Sequence, residues 1–201
     1  MSWPVLAVFI IFGLSRFLFL AKFPHFYDSP EYLRLSQEKN FLTALQKSHE
    51  SIHPIYLFLV QTSQRLFNFT CPERSRRVDF ITPISFVSAF FGILTFICFY
   101  FLVKRLFNKK IAFMSLLPLI FFPHLWLIQT NIMHEAVDHF FLVASILFFD
   151  IFLANKKLIS FFISLFFVFL AFINFPGNLI WTPIFIGLYF FRKTKRSYDS
   201  N

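Results

Sequence analysis

The sequence predicts an all-α fold: a polytopic bundle of six or seven apolar transmembrane helices forming one domain over residues 1–201. Of the 201 residues, 57% are hydrophobic and 14% are charged, whereas soluble domains carry about 25% charged residues. The apolar residues form continuous runs, and four glycines are too few for the turns of a many-stranded barrel. Since every backbone group in hydrocarbon needs a partner inside its own segment, helices are the remaining spanning structure.

Seven apolar runs follow one another along the chain. About 20 residues cross the hydrocarbon core as a helix, and the third, fifth and sixth runs fit that length well. The second run is short and contains Gln61, Ser63, Gln64 and Arg65. The seventh is also short, and a polar turn at 174–178 precedes it. The runs cover residues 3–21, 53–69, 80–103, 111–128, 136–154, 158–175 and 179–191.

The distribution of basic residues predicts the orientation of these runs. The net charge of +9 comes from short clusters between apolar runs, which is the pattern that fixes membrane topology. No basic and aromatic interleaving typical of a nucleic-acid groove is visible, so we predict membrane lipid and no nucleic acid as a partner. The clusters are Arg74/Arg76/Arg77, Lys104/Arg105/Lys109/Lys110, Lys156/Lys157 and Arg192/Lys193/Lys195/Arg196.

Two topologies remain open. If all seven runs span and the N-terminus is inside, three of the four clusters lie outside. If the second run instead lies along the outer interface, the last three clusters are cytoplasmic, and this six-crossing arrangement is favoured. It places the first loop (22–52) outside and the basic tail (192–201) in the cytoplasm. We expect an integral protein of a bacterial or archaeal plasma membrane.

The first outward loop contains the sharpest polar signal, the run YDSPEY at residues 27–32. Ser29-Pro30 can begin a helix, with Asp28 or Ser29 as its cap and Glu31 in its first turn. A carboxylate beside the hydrocarbon boundary is poorly solvated, so its pKa can rise toward the range of a general base. Capping and catalysis are therefore both open for Asp28 and Glu31.

Two ionisable residues lie at the first and second apolar runs. Arg16 is inside the first run, which has neither a basic n-region nor a small-residue cleavage site and is predicted to be a retained helix. His53 precedes Pro54, a usual first residue of a helix. A satisfied interfacial histidine is the alternative to a binding site at His53.

The run HEAVDH at residues 134–139 enters the fifth apolar run. Helical spacing places His134 beside Asp138, and Glu135 beside both Asp138 and His139. Acids at a helix N-terminus also interact favourably with the helix dipole, but ionisable groups beside a membrane span usually mark a functional cavity. The four polar residues of this run are therefore candidate ligands of a divalent metal ion, and no other cofactor is predicted.

In their order and spacing these motifs resemble the N-terminal module of GT-C fold membrane glycosyltransferases, including protein O-mannosyltransferases and lipid A aminoarabinose transferases. Such families carry an Asp or an Asp-Glu pair followed by Tyr in the first outward loop, and His-Pro or Lys-Pro at the next helix. The stretch 92–108 and the acidic position after the fourth helix are also similar, so the resemblance covers roughly 10–190. The sequence departs from the family at Ile52, where some relatives carry an acid, and in ending after about six crossings.

The resemblance implies transfer of a sugar from a polyprenyl-phosphate donor to a lipid, glycan or protein hydroxyl. It implies Asp28 as a general base or acceptor-aligning group, with Glu31 as a second catalytic acid. His53, and less directly Arg16, would bind the leaving phosphate. The remaining predicted substrate-binding residues are Tyr32, Glu135 and Asp138.

Two alternatives to a complete enzyme follow from the same sequence. Full members of the group have further helices, so the chain is either an enzyme or an N-terminal fragment of one. A non-catalytic protein, such as a small transporter or an assembly subunit, is the other class. For a transporter, Asp150 would be the intramembrane acid, although pairing with Lys156 or Lys157 also explains it. The sugar, the acceptor and any protein partner are not specified by these residues.

Overall fold

The computed structural model describes residues 3–21, 29–48, 53–70 and 81–199, without the side chains of 68–70 and 195–199. Every regular element in these ranges is helical, which confirms the all-α class. The helices are α1 (Trp3–Leu18), α2 (Ser29–Ser36), α3 (Phe41–Gln46), α4 (Pro54–Thr70), α5 (Ile81–Leu106), α6 (Lys109–Phe121), α7 (Pro123–Thr130), α8 (Glu135–Asn155), α9 (Leu158–Asn174), a 3-10 helix (Pro176–Trp181) and α10 (Thr182–Asp199).

Fewer helices are suited to crossing a membrane than the six or seven predicted. Among the described residues, α5 and α8 are long and apolar enough, and α6 with α7 adds a third span if the bent pair counts as one. Helices α1 and α9 are apolar but contain 16 and 17 residues. At 1.5 Å per residue they reach about 24–26 Å, which is less than the roughly 30 Å of a hydrocarbon core.

The fourth apolar run was predicted as one helix over 111–128, and this is wrong. It is broken between α6 and α7, whose axes differ by 71°. Phe122, at the break, has extended backbone angles (φ −73°, ψ 108°), and Pro123 follows it as the first residue of α7. A residue before proline is pushed out of the helical region, and proline has no N–H to continue the helix.

Helix α8 is the centre of the bundle and packs against α5 on one side and α9 on the other. Phe91 of α5 contacts the ring of Phe140 on α8, and Phe140 contacts Phe167 on α9. Where α8 and α9 approach closely, the Ser164 hydroxyl donates to the carbonyl of Ser145 at 2.8 Å. Aromatic packing and small residues at close helix contacts are typical of bundles without a strong hydrophobic drive between helices.

The bundle has two polar ends, which we call the histidine end and the arginine end. At the histidine end, near His53 and His134, Ser88 of α5 donates to the carbonyl of Met133 at 3.1 Å. At the arginine end, Arg105 of α5 pairs with Asp150 of α8 at 2.8 Å. Ser88 and Arg105 are about 26 Å apart along α5 at 1.5 Å per residue, a length comparable to a hydrocarbon core.

Asp150 is fully buried and is held by two arginines at the arginine end. Arg105 Nε lies 2.8 Å from Oδ2 of Asp150, and Arg192 Nη2 lies 2.7 Å from the same oxygen. Arg192 Nε also donates to Oδ1 of Asp150. The predicted partners Lys156 and Lys157 are thus replaced by arginines from α5 and α10, and Asp150 fastens α8 to both helices.

The polar residues that made the second apolar run ambiguous connect α4 to its neighbours. Gln61 donates to the carbonyl of Leu35 at 3.0 Å, and Arg65 to that of Lys39 at 2.8 Å. Ser63 donates to the carbonyl of Pro83 at 2.6 Å. Carbonyls at the ends of helices lack intrahelical partners, so α4 satisfies carbonyls in the last turn of α2 and just after it, and docks along the histidine end of the bundle.

Cysteine labelling tests which end faces outward. We expect Lys39→Cys, exposed beyond α2, to react with a membrane-impermeant thiol reagent added outside, and Lys157→Cys, exposed at the arginine end, to be protected. The reason is the excess of basic residues on the cytoplasmic side. The native cysteines Cys71 and Cys98 are first replaced, and both variants should react after permeabilisation. The reverse pattern in intact cells would contradict the predicted orientation.

Candidate functional site

Three segments that are distant in sequence meet at the histidine end: α2, the start of α4 and the start of α8. His53 precedes α4, and His134 precedes α8. Their imidazole rings are stacked, with centroids 3.3 Å apart and planes 13° apart. The ring of Tyr32, from α2, lies 6.3 Å from His53 and 6.4 Å from His134. The structure thus brings together residues from all three predicted polar motifs.

Asn174, the last residue of α9, holds this cluster together and is fully buried. Its carbonyl lies 2.9 Å from Nδ1 of His53. Its side-chain oxygen accepts from the backbone N–H of Tyr56 at 2.9 Å, one of the α4 N-terminal N–H groups without an intrahelical partner. Its side-chain nitrogen donates to Oδ1 of Asp138 at 2.8 Å. One residue therefore fixes α4 and α8 relative to α9.

Asp138 is buried in the first turn of α8, with 5% of its surface exposed. Oδ1 accepts two hydrogen bonds, from Asn174 at 2.8 Å and from Asn178 at 3.1 Å. Oδ2 lies 3.9 Å from Nε2 of His134. The amides hold one carboxylate oxygen in place, while the other faces the stacked histidines.

His134 is kept neutral by its surroundings. Burial, together with the neighbouring imidazoles of His53 and His139, lowers the pKa of His134 to about 3. Burial is the larger cause because it penalises the charged form of a base. At neutral pH His134 therefore has a ring nitrogen with a lone pair, which can accept a hydrogen bond or bind a metal ion.

Helix α2 docks onto the cluster through buried contacts. Ser29 is fully buried, and its hydroxyl donates to the carbonyl of Ile132 at 3.1 Å. Tyr32 packs edge-on against Tyr56, with ring centroids 4.8 Å apart. Asp28, the predicted catalytic base, lies outside the described residues. Its neighbour in the sequence, Ser29, is anchored beside the start of α8.

The two other acids predicted at this end have different surroundings. Glu31 forms an exposed ion pair with Arg34, with 2.7 Å between Oε1 and Nη2, and thus supports the first turns of α2. Glu135 lies at the cluster, with Oε2 3.6 Å from Nδ1 of His134.

Arg16, by contrast, is not brought into the histidine cluster. Its Nε donates to Oε1 of Gln129 at 3.0 Å, and its guanidinium carbon lies 4.1 Å from the centre of the Phe12 ring. A Cβ atom on Gly92 would lie only 2.6 Å from Cγ of Gln129. Gly92 thus leaves space for the amide that binds Arg16, and these contacts fix α1 within the bundle.

His139 also lies away from the cluster and lines an apolar cavity of about 300 Å³ on the other face of α8. Asp138 and His139 are consecutive residues, and consecutive residues of a helix face different neighbours. The predicted metal set of His134, Glu135, Asp138 and His139 therefore does not converge as a whole. Further residues lining the cavity are Phe12, Phe96, Leu119, Leu142, Trp181 and Ile184.

Residues 77–198 match the model of the dolichyl-phosphate-mannose-protein mannosyltransferase family. The chain belongs to this family. The match covers more than half of the chain and confirms the resemblance to GT-C membrane glycosyltransferases. No curated protein and no solved structure is significantly similar to it.

The matched part of this mannosyltransferase-family chain includes His134, Asp138 and Asn174, but begins after Tyr32 and His53. The contribution of α2 and His53 to the site is therefore inferred from their positions in the structure and not from the family match. The family and the apolar helices together support an integral membrane protein.

Sequence reasoning missed Asn174 and Asn178, the two amides that position Asp138. The run NFPGN at residues 174–178 was interpreted only as a turn between apolar runs. A signal was present, because an amide at the end of an apolar helix has few partners there except another polar side chain. Sequence spacing did not show which polar side chain that was.

Proposed function

We propose that this chain takes part in transfer of a sugar from a polyprenyl-phosphate donor to a hydroxyl acceptor at the histidine end. The observation that carries the proposal is the meeting of α2, His53 and the His134–Asp138 turn in one buried polar cluster. Ionisable groups at membrane depth are costly and usually serve a function. Membership of a membrane glycosyltransferase family gives the class of reaction.

The reaction requires a base at the acceptor and partners for the leaving phosphate. The acceptor oxygen attacks the anomeric carbon, the bond from that carbon to the phosphate oxygen breaks, and the hydroxyl proton passes to a base. Asp28 is the proposed base, since it directly precedes the anchored Ser29. His53 and His134 are proposed to act on the phosphate side, where developing negative charge needs fixed hydrogen-bonding or cationic groups.

The apolar cavity on the other face of α8 suits the lipid part of such a donor. Its volume is about 300 Å³, and its lining is almost entirely hydrophobic and aromatic. Asp138 faces the cluster, and the next residue, His139, faces the cavity. A donor bound across the start of α8 would place its phosphate by the histidines and its hydrocarbon chain among the phenylalanines.

The transporter alternative depends on Asp150, and the contacts of Asp150 do not favour it. A proton- or ion-coupled carboxylate must change its charge state or its partners during transport. Asp150 is fully buried and is bound by both Arg105 and Arg192, so its partners are fixed. These two ion pairs account for the intramembrane acid as a connection between α5, α8 and α10.

A transfer assay on membranes tests the proposal. Membranes containing the full chain should move radiolabelled sugar from a polyprenyl-phosphate donor to an endogenous acceptor or to water. His53→Gln should lower the rate by about 100-fold, as for loss of one group that stabilises a developing oxyanion. Lys47→Gln, which removes an exposed ion pair with Glu38, is the matched control and should transfer normally. Wild-type membranes that release no sugar from any such donor would contradict the proposal.

A further inference from the structure

Three side chains of the histidine end have the composition of a transition-metal site. The potential ligand atoms of His53, His134 and Asp138 all lie within 4.8 Å of one another. We propose that these three residues bind one Zn²⁺ ion. The set differs from the one predicted from sequence, because His53 replaces Glu135 and His139.

The residues around His53 and Asp138 already orient these two ligands. The carbonyl of Asn174 accepts from Nδ1–H of His53, so the lone pair of this imidazole is on Nε2. Asn174 and Asn178 both donate to Oδ1 of Asp138, which leaves Oδ2 on the side of the histidines. Hydrogen bonds of this kind fix the tautomer and orientation of metal-binding residues, and they contribute to metal affinity.

The charge balance of the site favours a cation. Asp138 is a buried carboxylate, and within the described ranges no lysine or arginine forms an ion pair with it. Its Oδ1 accepts hydrogen bonds from two neutral amides, which do not balance its charge, and a buried charge without an opposite charge is costly. A divalent ion between the two imidazoles and the carboxylate would supply the missing positive charge.

The ligand types select zinc over magnesium or calcium. Imidazole suits zinc and its neighbours in the transition series, whereas magnesium and calcium prefer oxygen ligands throughout. Three protein ligands leave the fourth position of a tetrahedral ion open, as in catalytic zinc sites. Occupation of that position by a donor phosphate oxygen would rest on the proposed function; binding of the ion itself would not.

Binding requires a defined movement of one ring. The two imidazoles are nearly parallel, so their lone pairs lie in parallel planes and do not point to one ion. Zn–N bonds of about 2.0–2.1 Å also require ligand atoms about 3.3 Å apart. In the structure the potential ligand atoms are separated by up to 4.8 Å. The side chain of His134 is 14% exposed, whereas His53 is 4% exposed and held by Asn174. His134 is therefore the ring that turns.

Metal binding to the full chain, purified without a polyhistidine tag, tests this site. We expect about one zinc per chain by elemental analysis. ZnCl₂ but not MgCl₂ should raise the thermal midpoint of the metal-depleted protein. His53→Gln, His134→Gln and Asp138→Asn should each weaken zinc binding at least 100-fold, and Asn178→Ala should weaken it about tenfold. His139→Gln, a half-buried histidine on the same helix as Asp138, and His124→Gln, an exposed one, are controls that should bind as wild type.

Cobalt gives a readout that does not depend on the stability of the variants. Co²⁺ added to the metal-depleted wild type should produce intense visible absorption typical of tetrahedral coordination, and Zn²⁺ should abolish it. A wild type without this absorption and without zinc-dependent stabilisation would overturn the site, as would folded His53→Gln protein that binds zinc normally. Transfer activity in metal-free wild type would leave the proposed glycosyl transfer intact and remove zinc from its mechanism.

Discussion

Replacement of Asp28 with asparagine is expected to reduce sugar transfer by at least about 100-fold, because a positioned general base contributes roughly 10²–10⁴ to the rate. That loss corresponds to about 3 kcal/mol of transition-state stabilisation. Asparagine caps a helix as well as aspartate does, so the thermal stability should change little. Initial rates of transfer from a radiolabelled polyprenyl-phosphate sugar, compared at equal amounts of folded protein, measure the effect.

Glu31→Gln is the matched control for this substitution. Glu31 forms an exposed ion pair with Arg34, and exposed pairs contribute about 0–1 kcal/mol. We therefore expect a much smaller loss of transfer for Glu31→Gln than for Asp28→Asn. Near wild-type transfer by folded Asp28→Asn would show that Asp28 is only a helix cap, and the base would have to be sought elsewhere.

Asp150→Asn is expected to lower the free energy of unfolding by about 3–5 kcal/mol. Removal of one partner of a buried ion pair leaves the other charge uncompensated, and here two arginines, Arg105 and Arg192, would be left close together. Equilibrium or thermal unfolding in mixed micelles measures the change. Transfer activity of the fraction that remains folded should be less affected, since Asp150 lies at the opposite end of the bundle.

Two comparisons make this prediction specific. Glu38→Gln removes an exposed pair with Lys47 and should cost less than about 1 kcal/mol. The triple variant Asp150→Asn, Arg105→Gln, Arg192→Gln should recover part of the stability lost in Asp150→Asn, because it also removes the repelling charges. A loss within 1 kcal/mol for Asp150→Asn alone would mean that water or lipid headgroups replace the carboxylate.

The sequence was most informative where the physics is local. Continuous apolar runs predicted helices, and α5 and α8 match the third and fifth runs closely. The motif at 134–139 was correctly placed at the start of a helix. These features depend on residues within a few turns of one another, so spacing and composition suffice to predict them.

What the sequence did not predict depends on distant contacts. The polar residues of α4 suggested a poor span, but their partners are the carbonyls of Leu35, in the last turn of α2, and of Pro83, which no pattern identifies. The break before Pro123 was missed because the long apolar run outweighed its two prolines, and the other one, Pro118, lies inside α6. His53 and Asn174 are separated by 121 residues, and only the packing of α4 against α9 brings them together.

The position of Asn174 late in the chain has a consequence for biogenesis. Ribosomes add about 5–20 residues per second, so the 121 residues between His53 and its carbonyl partner take roughly 6–24 s to synthesise. During that time α4 has entered or reached the membrane surface without the amide that caps its first turn. Until then, insertion factors or water at the headgroups must hydrogen-bond the N–H groups in the first turn of α4. The cluster forms only when α9 has been synthesised and has packed against α8.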